Sequence, residues 1–586
     1  MRRAFAALAL AAVALVPVPL AAQPSPALTG AEAREILART ETIRLAPDLA
    51  QLSAGERAAL DRLLEVGSIF QQIYEDQRHA AALAASARLA AGSDEATLYR
   101  LFQGPIATTL DNRRVPFAGV DAAPPGKNLY PLDLTEAEYE AFLAAHPDRR
   151  EELTHLRSVV RRADAASLAR DIGALRSHPA LDTLHPGLLA RLEALSAAPD
   201  RKVLYAVPYS LAWADQLVRA SRLLFEAADA VAPDDAEFAG YLRNRARDLL
   251  SDDYESGDAA WITGQFHNLN AQIGAYETYD DELAGVRAGF SLSLLVRRNG
   301  ETEALRRGLG GLQAVEDALP YDRHKRVRET IPVGVYDVVA DYGQARGGNT
   351  ASILPNESYL VRRYGRTILL RANIMRSPEI FASADASWAA VVAPPFAGDL
   401  TADGQFNRTL WHEIGHYLGV DMTADGRELA VALGTDADLL EEMKADLASL
   451  FAGPQLVASG YFTDEQLRAH YASGVLRTLQ NVKPRRDQPY QTMQLMQFNW
   501  FLDRGVLAFD ANSGRLSIDY GRYHDAVMAL LREVLAIQDA GDSARSDAFI
   551  RRWSSWDEAL HGRVAASLRE QQRYRYRLFT YSVLGE

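Results

Sequence analysis

The chain of 586 residues contains no cysteine, and that absence constrains it more than any residue that is present. It removes disulfide frameworks, thiol nucleophiles, iron–sulfur clusters and thiolate zinc sites. The fold must then rest on buried apolar surface, and any transition metal must sit on His, Asp or Glu. A chain this long can bury more than one core, so two or more lobes are expected. Hydrophobic residues at 48% and charged residues at 24% are the balance of a globular protein and argue against bulk disorder. The net charge of −14 disfavours nucleic acid as a partner, because the overall field repels a polyanion.

Arg2 and Arg3 precede an apolar run from Ala4 to about Val18, broken by Pro17 and Pro19 and closed by Leu20-Ala21-Ala22. A charged start, a brief apolar core and small residues before a break describe a secretory signal peptide, cut after Ala22. The run is too short and too proline-rich to span a bilayer, and no later stretch reaches 18 uncharged apolar residues. A lipid anchor needs a cysteine at the cleavage site. The expected product is exported, periplasmic or secreted, with no integral membrane segment.

From Ser25 to about Leu250, Ala/Leu/Arg/Glu-rich segments at helical spacing predict mostly helix. Thr135 and Glu138 fit a capping box at one helix start. Near 287 the texture changes. Phe290, Leu292 and Leu294 alternate with small polar residues, and Val333 to Val339 and Thr367-Ile368-Leu369-Leu370 are strand-like. After about 405 helix returns, with a strongly amphipathic stretch from Tyr520 to Asp539. Helix, strands and helix again predict an α+β fold with a mostly helical C-terminal lobe.

Trp411-His412-Glu413-Ile414-Gly415-His416 carries the H-E-x-x-H pattern. On a helix, residues four apart share a face, so His412 and His416 can converge on one cation. Neutral imidazoles suit Zn2+, and Glu413 between them can act as general base toward a zinc-bound water. The alternative is a chance match on a surface helix, but Trp411, Ile414 and Leu418 imply a buried one, where unpartnered His and Glu would be costly. Gly419 fits the metzincin extension of this motif, but Met422 stands at its final ligand position and Asp421 is out of register. The better third ligand is Glu442, 26 residues beyond His416. It would complete a two-His, one-carboxylate set with one position open. Asp446, one turn on, and Glu441 could each accept a hydrogen bond from a ligating imidazole. The competing reading of this segment is an acidic, solvated helix start.

With these residues the chain resembles the dipeptidyl peptidase III family, peptidase family M49. It is most similar to the shorter members and to the C-terminal peptidase-like part of plant nudix hydrolases. The resemblance rests on Pro124-Pro125-Gly126 through Tyr130-Pro131, Ile273 through Tyr279, Leu354-Pro355-Asn356, His412 to His416, Glu441 to Asp446, and Gln497-Phe498-Asn499. The nudix signature is absent, so no nudix chemistry is implied. The resemblance implies two lobes and a cleft: residues 23–375 with a helical region and a substrate-binding lobe holding a small β-barrel, and residues 376–586 as the helical zinc lobe. It implies one zinc ion on His412, His416 and Glu442, Glu413 as base, and Glu441 and Asp446 behind the ligands. Glu277 would hold a peptide's α-amine, Tyr279 the developing oxyanion, and Asn356 the peptide backbone. Read without the family, Glu277 and Tyr279 are one strand face or an acidic turn.

The chain departs from the family at two places. Ile353 stands where the family's backbone-binding Asn is expected, and Tyr490 falls near the place of a transition-state His. The expected function is a zinc metallopeptidase that cuts short peptides and releases N-terminal dipeptides. The alternatives are a same-fold aminopeptidase or oligopeptidase, and a catalytically weak, zinc-containing peptide-binding protein.

Overall fold

A computed structural model describes residues 27–327, 332–354, 358–365 and 367–586. The segment 1–22 and Asn356 therefore lie outside the described residues. Strand β1 (Thr40–Leu45) leads to helix α1 (Ala54–Arg78), which starts at Ser53 with a complete capping box to Glu56. Leu60, Leu63, Val66, Phe70, Ile73 and Tyr74 make a stripe at helical spacing, and all are buried. They pack against helix α2 (Ala214–Val231) and against the central sheet. Gly67 permits that contact: a Cβ there would sit 2.2 Å from Cε2 of Tyr342.

The sheet has five strands: β2 (Leu269–Ala275), β3 (Phe290–Arg297), β4 (Val333–Gly343), β5 (Ala351–Leu354) and β6 (Thr367–Arg371). Its order is β2-β3-β4-β6-β5, with β4 and β6 parallel and the other neighbours antiparallel. The small barrel of the sequence reading is thus, among the described residues, a mixed sheet with β2 and β5 at its edges.

Two large hydrophobic cores lie on opposite faces of this sheet. Side chains alternate across a strand, so β6 sends Ile368 and Leu370 into one core and Leu369 into the other. Strand β4 sends Val333 and Val335 to the second core and Tyr336, Val338, Ala340 and Tyr342 to the first. A strand buried on both faces reads as a continuous apolar run, which accounts for Thr367 to Leu370. Each such side chain stabilises the fold by about 1.5–3 kcal/mol.

The second core gathers α3 (Ala402–Gly415), α4 (Ala437–Phe451), α5 (Asp464–Thr478), α6 (Pro489–Asp503) and α7 (Tyr523–Ala540). Two long-range features complete the cores. Leu305, Leu312 and Val315 already belong to the second core, well before residue 376. The last strand, β7 (Tyr576–Tyr581), returns to pair in parallel with β1, placing Phe579 and Tyr581 in the first core. Apolar faces are buried where they find cover, irrespective of chain order. At Thr135 only half of the capping box forms: its hydroxyl accepts from the Glu138 amide, while the Glu138 carboxylate is held by both terminal nitrogens of Arg162.

Candidate metal centre

Helix α3 begins at Thr401, whose side chain caps the Gly404 amide, and ends where His416 caps it at the C-terminus. Gly415 lets α3 lie directly on α4: a Cβ there would be 2.4 Å from the Ala445 carbonyl oxygen. That close approach sets the two ligand-bearing stretches face to face. His412 Nε2 lies 3.2 Å and His416 Nε2 3.8 Å from Glu442 Oε2. The three side chains form a cluster whose potential ligand atoms lie within 4.8 Å of one another. Glu442 Oε2 is buried and has no hydrogen-bond partner.

The far side of each imidazole faces a carboxylate. His412 Nδ1 is 2.6 Å from Asp446 Oδ1, and His416 Nδ1 is 3.1 Å from Glu441 Oε1. An Nδ1 proton directed to each acid would leave both Nε2 lone pairs free to meet at one point. Two imidazoles and one carboxylate are a hard-to-borderline donor set that fits Zn2+, and an orphaned carboxylate oxygen between them is where a cation would be expected.

Electrostatics agree with this arrangement. Burial lowers His412 to about 3, against the pull of Glu442, so the imidazole is neutral and able to bind a metal. Burial also works to raise Glu442 and Glu441, but their hydrogen-bonding and charged neighbours outweigh it. Glu442 is lowered by its two His neighbours, and Glu441 is lowered to about 2 by Lys444, at 2.7 Å, and by His416. Glu413 behaves differently. Burial raises its carboxyl pKa, and it makes no hydrogen bond or ion pair among the described residues.

Four groups at this centre had no role in the sequence reading. Arg408, four residues before His412 on the same helix, forms an ion pair with Asp446. Arg477 Nε and Gln497 Nε2 each lie 3.2 Å from Asp446 Oδ2, and Lys444 is buried against Glu441. Helical spacing could have flagged Arg408 and Lys444. Nothing in the sequence places Arg477 beside Asp446, although Gln497 opens one of the family-like stretches.

Tyr490, in the first turn of α6, donates its hydroxyl to Glu442 Oε1 at 2.9 Å and is 45% exposed. Burial and this carboxylate push it up to about 12, so it remains a donor. Glu277 and Tyr279 lie on the loop after β2, on the side of the first core. Tyr279 is 78% exposed and is raised to about 12 by partial burial and by the Glu277 carboxylate. The structure thus brings His412, His416, Glu441, Glu442, Asp446 and Tyr490 into one cluster, and pairs Glu277 with Tyr279 on a separate loop.

The chain has the fold of dipeptidyl peptidase III structures. That from Caldithrix abyssi superposes with a TM-score of 0.78 at 23% identity, covering 94% of this chain and 99% of that one. That from Corallococcus sp. strain EGB gives 0.69 at 22%, covering 96% and 98%. Nudix hydrolase 3 of Arabidopsis thaliana is 26% identical over 440 residues, or 73% of this chain. The chain spans about half of that protein, 54% of its length. No protein-family model matches the chain. No helix among the described residues is long and apolar enough to cross a membrane.

Proposed function

We propose that the protein is an exported zinc metallopeptidase of the dipeptidyl peptidase III type, which hydrolyses short peptides and releases N-terminal dipeptides. The observation that carries this reading is the convergence of two imidazole Nε2 atoms on the partnerless oxygen of Glu442, with an acid behind each ring. In this reading residues 23–375 supply the substrate-binding side and residues 376–586 the metal site.

His412, His416 and Glu442 hold one zinc ion. When bound, zinc supplies a Lewis acid that polarises the scissile carbonyl and brings the pKa of water toward roughly 7. Glu413, next to His412 and without a competing partner, takes the proton of the attacking water and returns it to the leaving amine. Asp446 and Glu441 fix the imidazole tautomers. Glu277 binds the peptide's ammonium group, Tyr279 donates to the developing oxyanion, and Asn356 holds the peptide backbone. The test combines metal analysis with mass spectrometry of cleavage products. One zinc per chain and stepwise dipeptide release support the proposal, and a metal-replete protein that leaves every peptide intact refutes it.

A second reading is favoured by Tyr490. A phenol bound to Glu442, where a family member carries a His, alters what faces the scissile bond, and supports an aminopeptidase or oligopeptidase specificity. Digestion of a defined octapeptide separates the two: dipeptides favour the first, single residues or internal cuts the second.

A further inference from the structure

A cavity of about 300 Å3 opens at the junction of the two cores, beside the metal centre. Gln405 and Thr409 of α3 line it, and on a helix these positions continue at i+4 to Glu413. The cavity therefore lies along the same face as the proposed base, about one turn toward the start of α3. Arg408 and Arg477 line the same wall, and Arg577 of β7 faces them from the first core. Thr350 and Ser473 add hydroxyls.

The described lining carries three guanidiniums and no carboxylate. Among the described residues, Asp446 is the one carboxylate in ion-pair contact with Arg408 or Arg477. It also faces His412 and accepts from Gln497. Glu413 and Glu442 also act on both guanidiniums through space, without an ion-pair contact. Arg577 is neutralised separately by Glu41 at 3.6 Å. Burial lowers the pKa of both Arg408 and Arg477, and their mutual repulsion adds to this for Arg408. A cavity lined by three guanidiniums and by no carboxylate has the donor chemistry of an anion site.

We propose that this cavity is a carboxylate subsite: it receives either the free C-terminus of a short peptide or an acidic side chain near the scissile bond, held by Arg477 with Arg408 behind it. A guanidinium grips a carboxylate through two parallel hydrogen bonds, so such a subsite would measure peptide length or composition. The assignment rests on the peptidase reading for the identity of its ligand, but it is tested by binding rather than by turnover.

The experiment uses zinc-loaded Glu413→Ala protein and calorimetric titration with three probes: tetra-alanine with a free C-terminus, its C-terminal amide, and that amide with glutamate at the third position. One charge-assisted contact predicts that the free acid binds about tenfold or more tightly than the amide. Recovery of affinity by the glutamate amide identifies the side-chain source, and no recovery identifies the C-terminus. In Arg477→Gln the preference for the acid should vanish. In Arg577→Gln, which lies away from the metal ligands, it should shrink a few-fold with the zinc content preserved. Equal affinity for all three probes overturns the subsite, also where the Arg477 variant fails to fold. Absent hydrolysis by the parent protein, with a retained preference for the acid, overturns the peptidase reading alone.

Discussion

Each core of this protein buries a cluster of guanidinium and carboxylate groups, and the two clusters shift their central guanidinium in opposite directions. In the first core Arg245 is fully buried between Asp248 at 3.4 Å and Asp258 at 2.5 Å. Arg247 reaches Asp248 from the surface at 3.9 Å. Ser256 and the Gly257 amide donate to Asp248, Tyr276 donates to Asp258, and the Tyr254 ring lies 4.7 Å from the guanidinium. Burial opposes the Arg245 charge, yet Tyr276 and Asp258 more than offset it and hold its pKa well above the usual value. In the second core Arg408 goes the opposite way: burial, then Arg477, drive its pKa well below. The cluster behind His412 holds two guanidiniums that repel each other, and Glu413 beside it makes no hydrogen bond or ion pair among the described residues. In the proposed function those are the places that a metal, a water and a substrate would occupy.

The sharpest way to break this comparison is to remove one key group from each cluster. Glu442→Ala should abolish metal binding and with it hydrolysis, while thermal unfolding of the apo-protein changes little; retained zinc by elemental analysis would contradict the ligand set. Glu413→Ala should keep one zinc and lose activity by about a hundredfold to ten-thousandfold, the range for a general base. Undiminished turnover by that protein would remove the mechanism. Arg245→Met should leave catalysis intact but cost about 3–5 kcal/mol in urea unfolding, because Asp248 and Asp258 lose their buried counter-charge. Asp446→Asn should weaken zinc affinity by about 10- to 100-fold, the usual effect of losing an acid behind a ligating His.

The smallest effect concerns a buried acid of the first core. Burial raises Asp252 to about 7, despite a hydrogen bond from the Ser210 amide. The folded state therefore binds this proton more tightly than the unfolded chain does. Its contribution to stability is largest in acid and is lost as pH rises from about 4 to about 7, at up to about 1.4 kcal/mol per pH unit. Asp252→Asn should flatten that slope when unfolding is followed across this range, and an unchanged slope would assign it elsewhere. Asn tolerates the left-handed backbone at this position, where φ is 55°.

How much of the site was legible follows from how local each signal is. His412, Glu413 and His416 are read from one helical turn, and Glu441, Glu442 and Asp446 from another. Helical geometry also dictates that Asp446 and Glu442 share a face. Asn356 lies outside the described residues, and Glu277 and Tyr279 were legible only through resemblance, because two polar residues on a loop carry no period. At Thr135 a local pattern was misleading, since the more favourable partner for Glu138 was Arg162, distant in sequence and bidentate.

By itself the sequence determined that a metal here must rest on His and carboxylate, which two short stretches supply it, and that helices flank a strand-rich centre. These follow from residue chemistry and from periods of two and 3.6, which need no partner to be read. Tertiary structure decided the rest. It made β4 and β6 a wall shared by two cores, returned β7 to β1 across more than 500 residues of chain, and brought Arg477 and Tyr490 to the carboxylates of α4. Those contacts depend on which apolar faces cover one another and on where charge is left uncompensated. Neither quantity is a property of any local stretch of chain.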